Sequence, residues 1–127
     1  MATADRPVLL ELPATTALLR VARVAVASLA AELPFTLQDI DDLRVAVDEL
    51  AAVAIEGCGA EDRLELRMWL DREAVEVEGR VRGAGPVPEL HPVARDLLDL
   101  VAPGAVLGVD GEDRTFRFAK RPQVHAS

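Results

Sequence analysis

The sequence is poor in cysteine and in aromatic residues. Cys58 is the single cysteine among 127 residues, which excludes an intrachain disulfide framework and a thiolate metal cluster and fits a reducing, cytoplasmic setting. Tyrosine is absent and aromatic residues make up 3% of the chain, whereas 50% of it is hydrophobic. The core must therefore be built from valine, leucine, isoleucine and alanine, and this apolar content predicts a folded chain.

Histidine clusters and long apolar runs are also missing. His91 and His125 stand alone, without cysteine or acidic partners at the spacing of metal ligands, so we expect no metal site. The beginning of the sequence has no signal pattern, and arginine or glutamate interrupts each apolar stretch well short of the ~20 residues that a membrane span needs. We therefore expect a cytoplasmic protein with no part in a membrane.

Positive charge is in the minority, since 14 lysine and arginine residues stand against 22 acidic ones, for a formal net charge of -8. An acidic surface argues against direct binding to nucleic acid or to an anionic membrane, because both require a positive field. It is compatible with a protein partner that presents basic patches. The length predicts a single domain, 1–127, with an ordered core at about 8–121.

The spacing of apolar residues predicts three helices and five strands. Thr36 and Asp39 form a capping signal for the second helix, and Gly57 ends it. Helices grouped against a mostly antiparallel sheet predict an α+β fold, a two-layer sandwich with three helices on one face of the sheet. In chain order, the predicted elements are a strand at 8–12, a helix from Thr15 or Thr16 to Leu33, a helix at 37–55, a hairpin of 64–70 and 74–81, a helix at 93–101 and a hairpin around Gly111.

Trp69 is the only tryptophan and lies on the first predicted hairpin. Strict alternation places Leu64, Leu66 and Met68 on one face of the strand and Trp69 on the opposite face. Two interpretations remain open at this point. Trp69 packs under the helices, or it is exposed on the sheet as a dimer contact.

The order of elements, with VARVAVASLAAEL at 21–33 followed by LRVAVDELAAVAIEG at 43–57, resembles the anti-sigma-factor/serine-kinase family of the histidine-kinase-like (GHKL, Bergerat) ATPase superfamily. The resemblance extends roughly from Val8 to Arg121, is strongest in the two long helices and is weakest in the loop at 83–95. It implies the Bergerat fold. It also implies a sigma factor or a STAS-domain anti-anti-sigma factor as partner, and a homodimer.

The first family motif, Glu-x-x-x-Asn on the second helix, is only half present. In the family the Glu orients or deprotonates the attacking hydroxyl, and the Asn helps to hold Mg²⁺ on the ATP phosphates. Glu49 matches the Glu, but Val53 stands at the Asn position, where an isopropyl group cannot ligate Mg²⁺. Glu49 is therefore a candidate residual catalytic base, or an ordinary solvated acid of a helix.

The nucleotide-binding motifs also depart from the family pattern. Val81 replaces the Asp that accepts a hydrogen bond from adenine, although Gly83 and Gly85 of the same Asp-x-Gly-x-Gly motif are kept. These two glycines are candidate residual cofactor-binding residues, or simply a turn. A Gly-x-Gly that wraps the phosphates is replaced by the segment His91-Pro92-Val93-Ala94, which has no glycine and in which Pro92 removes an amide donor. We therefore expect no cofactor.

Arg20 and Arg23 are the candidate partner-binding residues. They are three residues apart on an otherwise apolar helix and so share one edge, either as a snorkelling surface pair or as an anion-binding contact. The family resemblance implies that the position of Arg23 contacts the sigma factor or the antagonist. Leu19 and Val26 could supply apolar area around it.

The leading hypothesis is an anti-sigma-factor-like regulator that holds a sigma factor or a STAS-type antagonist on its first helix and acts by occlusion, without competent ATP binding. An alternative is an active serine kinase that binds Mg-ATP and phosphorylates a STAS-domain partner with Glu49 as base. A third interpretation is a binding module that uses the emptied nucleotide cleft, which would be more apolar than its ancestor.

Overall fold

The computed structural model describes residues 6–123, which form two layers, three α-helices against a five-stranded antiparallel sheet. The sheet order is β1-β2-β3-β5-β4, and each neighbouring pair is antiparallel. The predicted α+β sandwich is confirmed. The strands are β1 (Val8–Pro13), β2 (Arg63–Asp71), β3 (Ala74–Val81), β4 (Val106–Asp110) and β5 (Asp113–Lys120), and the helices are α1 (Leu19–Ala30), α2 (Leu37–Ile55) and α3 (Pro92–Val101).

Helix α1 begins and ends differently from the prediction. A single 3-10 turn, Thr16–Leu18, precedes it, and the side chain of Thr15 makes no capping hydrogen bond. The predicted cap at Thr15 or Thr16 is therefore wrong. The Thr15 amide instead donates to the Pro13 carbonyl, 2.8 Å away, because the chain turns tightly as it leaves β1. The helix ends at Ala30 and a turn replaces the predicted last residues before Pro34.

Helix α2 begins and ends as the sequence predicts. The Thr36 hydroxyl accepts from the Asp39 amide at 3.1 Å, and the Asp39 carboxylate accepts from the Thr36 amide at 3.0 Å, so the capping box is confirmed. At the other end Gly57 has a φ of 77°, a left-handed conformation that glycine adopts without strain. Both ends of α2 are thus determined by short local sequences.

Asp39 also connects the start of α2 to the end of β5. Its carboxylate is fully buried and accepts a further hydrogen bond from the Gln123 amide at 3.3 Å. Burial alone would raise the pKa of Asp39, but the hydrogen bonds from the Thr36 and Gln123 amides and the Thr36 hydroxyl, with the charge of Lys120, bring it below its ordinary value. Asp39 therefore stays ionised inside the fold.

The strands divide their residues between a core face and an open face. Leu64, Leu66 and Met68 of β2 are buried in the core, and Trp69 lies on the face turned away from the helices. The Arg67 guanidinium carbon lies 5.0 Å from the centre of the Trp69 ring, a cation–π contact. Of the two interpretations left open by the sequence, packing under the helices is wrong.

Gly79 of β3 lies opposite Phe116 of β5, and the buried Phe116 ring covers it so closely that a Cβ at Gly79 would overlap the ring. We expect Gly79→Ala to lower the free energy of unfolding by about 1–3 kcal/mol, because the buried ring has no space to move into. Urea denaturation checks this value.

Gly108→Ala on β4 is the matched control, since no atom lies within 4 Å of a Cβ added there. This control should leave the free energy of unfolding within about 0.5 kcal/mol of the wild type. Phe116→Leu should recover part of the loss in the Gly79→Ala background. Equal stability of the two glycine variants would contradict the close approach.

Candidate functional site

Helix α2 separates two candidate sites, because its side chains reach different neighbours. The Asp48 carboxylate contacts the Arg23 guanidinium of α1 at 2.6 Å. Asp42, on the same helix, contacts Lys120. Lys120 also donates to the carbonyl of Val101, the last residue of α3. One side of α2 therefore faces α1, and another faces β5 and α3.

Glu49, the candidate catalytic base, lies on the α3 side of α2. It follows Asp42 by seven residues, and residues seven apart on a helix share a face. Val53 lies one turn further on, is half-buried and packs against the core. No hydrogen bond in residues 6–123 joins Glu49 to Gly83 or Gly85, so the structure does not bring the three predicted residues together into one bonded site. Val53 offers no oxygen ligand beside Glu49.

The backbone amides of the glycine loop are already in use. The Gly83 amide donates to the Asp113 carboxylate at 2.8 Å, and the Gly85 amide donates to the carbonyl of Glu112 at 2.9 Å. Both glycines have positive φ, 67° and 79°, so their presence has a conformational explanation. The amide of Gly83 and then the guanidinium of Arg80 hold the pKa of Asp113 below its ordinary value. The β4–β5 turn thus binds the amides of both glycines.

The N-terminus of α3 is closed in a similar way. His91 is the N-cap residue, and its Nδ1 accepts a hydrogen bond from the Val93 amide at 3.1 Å. Pro92 has no amide hydrogen. The helix start that would bind phosphate in the family is therefore capped by the chain itself. The other isolated histidine, His125, lies outside the described residues.

Arg114 is a buried charged residue whose structural role the sequence does not predict. It lies opposite Val81, the position of the adenine-reading Asp in the family that the sequence resembles. Its guanidinium donates to the carbonyls of Ala54 and Glu56, at 2.9 and 2.7 Å, and so caps the C-terminal end of α2. Its Nε is buried and has no partner among residues 6–123. One signal could have revealed it, because Arg114 lies two residues before the buried Phe116, and residues two apart on a strand share a face.

The α1 side presents the two predicted partner-binding arginines. Arg20 is exposed, and its guanidinium donates a long hydrogen bond, 3.4 Å, to the carbonyl of Ala17 three residues earlier. Arg23 lies at the seam between α1 and α2, with 37% of its side chain exposed. Val24 is the apolar neighbour that reaches the surface, with 64% exposure.

Leu19 and Val26, expected to supply apolar area around Arg23, do not do so. Both are buried in the core. The reason is the phase of α1, which turns these two positions towards the sheet while Arg20 and Val24, one turn apart, face outward. The exposed apolar area at this surface therefore comes from Val24.

A concave surface lies elsewhere, on the open face of the sheet. It is a shallow depression of about 640 Å³ that crosses all five strands. Its charged side chains pair with each other, as in the contacts of Arg80 with Asp110 and of Arg82 with Glu65.

Comparisons with known proteins add one finding. No protein-family model and no curated protein matches this sequence. Among solved structures, the RsbU and RsbW domains of Rv1364c from Mycobacterium tuberculosis are similar, with a TM-score of 0.66 and 19% identity. The two chains share a fold. The match covers 91% of this chain but only 32% of that one, so this chain spans about a third of the neighbour's length. Within residues 6–123, no helix has the length and apolar character needed to cross a membrane.

Proposed function

We propose that the protein is an anti-sigma-factor-like regulator, which holds a sigma factor or a STAS-type antagonist on its α1 surface and does not use ATP. The shared fold supports the first part, because RsbW is an anti-sigma-factor kinase of the GHKL type. The observation that carries the second part is that the chain's own groups occupy the donors of the nucleotide region. These donors are the amides of Gly83, Gly85 and Val93.

A nucleotide would have to break these contacts before it could bind. The bond from the Gly83 amide to the Asp113 carboxylate is charge-assisted, 2.8 Å long, and would have to be exchanged for the new contact. The phosphates would also bring negative charge to an acidic chain without the metal ligand that Val53 has replaced. We therefore expect an unfavourable free energy of nucleotide binding. Competition between partners then controls the protein.

The α1 surface suits a partner that presents carboxylates. The segment of α1 carries Arg20 and Arg23 and no acidic residue, although the chain as a whole has a net charge of -8. Arginine binds a carboxylate through two parallel hydrogen bonds, and Val24 adds exposed apolar area beside them. A sigma-factor or antagonist helix with acidic and apolar residues on one side matches this pattern.

Two further proposals follow from the family resemblance. The working unit is a homodimer, and the protein acts in the cytoplasm. Sedimentation analysis of the purified chain tests the first, and the fractionation of cells tests the second.

We expect millimolar Mg-ATP to leave the melting temperature unchanged. A ligand present at 100 times its Kd would add about 2.7 kcal/mol of stability, which a thermal melt detects easily. An RsbW-type kinase measured beside it serves as the positive control. A clear shift, together with transfer of labelled phosphate to a STAS-domain protein that is lost in Glu49→Gln, would favour the serine-kinase alternative.

We also expect the immobilised protein to bind one member of a panel of purified alternative sigma factors and STAS-domain proteins from the same genome. Arg23→Ala should weaken that binding by about 10- to 100-fold, the loss of one charged hydrogen bond. Arg63→Ala, on the open face of the sheet, is the matched control and should bind like the wild type. If no member binds, or if the two variants bind alike, the proposed surface is wrong.

A further inference from the structure

The arginine proposed to contact the partner already has a carboxylate. Arg23 Nη1 and Asp48 Oδ1 are 2.6 Å apart, a short charge-assisted hydrogen bond between α1 and α2. The two side chains are 37% and 38% exposed, so solvent reaches both members of the pair. The chain therefore presents Arg23 to its surroundings with its charge partly neutralised.

We propose that Asp48 occupies, in the free protein, the place that a partner's carboxylate takes in the complex. The Arg23–Asp48 pair is then an autoinhibitory contact, and a partner binds by exchanging its own carboxylate for that of Asp48. This inference rests on the proposed function, since it assigns a competitor to the surface described there. It also defines the partner chemistry, which is a protein segment with a carboxylate next to an apolar side chain.

An incoming carboxylate can make more hydrogen bonds to Arg23 than Asp48 makes. The recorded contact joins one nitrogen of Arg23 to one oxygen of Asp48, whereas a guanidinium has five N–H groups arranged to bind a carboxylate through two parallel bonds. A partner that approaches from solvent can use this fork. It also excludes water from the pair when it covers Val24, which strengthens the new contact.

The strength of the internal pair sets the size of the effect. Exposed ion pairs shift an equilibrium by a factor of about 1.5 to 5, and Arg23 and Asp48 are both more than a third exposed. The contact therefore lowers affinity without preventing binding. It raises by the same factor the partner concentration needed for half-saturation.

The test compares Asp48→Asn with Asp41→Asn. Both substitutions remove one negative charge from α2, but Asp41 contacts Arg44 and makes no recorded contact with Arg23. The first readout is the rate at which phenylglyoxal modifies Arg23, followed by mass spectrometry of the purified protein. The rate should rise in Asp48→Asn and remain at the wild-type value in Asp41→Asn.

The second readout is affinity for a fluorescent helical peptide that carries glutamate and leucine on one face, with a glutamine version of the same peptide as control. Asp48→Asn should bind the glutamate peptide about 2- to 5-fold more tightly than Asp41→Asn does. The glutamine peptide should not distinguish the two variants. Arg23→Ala should abolish the difference.

The outcomes separate the two proposals. An unchanged modification rate in Asp48→Asn, or weaker peptide binding by that variant, would show that Asp48 does not compete for Arg23 and would overturn the inference while leaving the sigma-factor panel to decide the function. Faster modification with a peptide affinity that Arg23→Ala does not change would instead overturn the role of Arg23 in docking, and the autoinhibitory contact with it.

Discussion

Lys120→Met is expected to lower the free energy of unfolding by about 3–5 kcal/mol, the largest effect of any single substitution considered. Lys120 Nζ lies 3.0 Å from the Asp42 carboxylate and 3.0 Å from the carbonyl of Val101, and the two charged side chains are each 9% exposed. Methionine preserves most of the volume but leaves a buried carboxylate without a counter-charge. It also leaves the end of α3 without its donor. Urea denaturation followed by circular dichroism measures the loss.

Two controls show whether the loss belongs to the buried pair. Arg44→Met breaks the Arg44–Asp41 contact, which is longer, 3.5 Å, and has side chains 49% and 63% exposed, so the expected cost is below about 1 kcal/mol. Asp42→Leu in the Lys120→Met background removes the stranded carboxylate and should recover most of the stability. Equal costs for Lys120→Met and Arg44→Met would refute the assignment.

Arg114→Met is expected to cost about 2–4 kcal/mol and to loosen the end of α2. The substitution removes the donors of two carbonyls, those of Ala54 and Glu56, and the gain from removing the unpartnered Nε offsets only part of that loss. The effect should be local as well as global. Hydrogen exchange should show faster exchange of the amides at 52–58 than of those at the start of α2.

Arg117→Met provides the comparison for Arg114→Met. Arg117 is on the same strand but on the open face of the sheet, 61% exposed, with its carboxylate partners 3.8 Å away, and its loss should cost less than about 1 kcal/mol. Mg-ATP should still not stabilise Arg114→Met, because the amides of Gly83 and Gly85 remain bonded to the β4–β5 turn. A melting shift with Mg-ATP in this variant would mean that Arg114 alone closes the nucleotide region.

The parts of the fold that the sequence predicts well are those determined by short local patterns. The capping box of Thr36 and Asp39, the left-handed Gly57 and the alternating strands of the first hairpin each involve residues within a few positions of one another. The start of α1 was predicted less well. A threonine before an apolar helix resembles a cap, but the tight turn after Pro13 takes the amide of Thr15 for another bond.

The candidate site was harder to predict, because its contacts join residues distant in the chain. Substitutions such as Val53 are visible in the sequence without further information. The hydrogen-bond partners of Arg23 and Gly83 cannot be identified from the sequence in this way. Asp48 is 25 residues from Arg23, and Asp113 is 30 residues from Gly83. Only the packing of α1 on α2, and of the β4–β5 turn on the glycine loop, brings these charges together.

Asp48 and Glu49 are consecutive residues, yet a helix turns about 100° between them, and they serve different neighbours. In evolution, the two surfaces of α2 can therefore be selected separately. A codon change at position 49 or 53 alters the α3 side and leaves the seam with α1 intact. Changes on one surface of α2 can therefore accumulate without disturbing the contacts of the other.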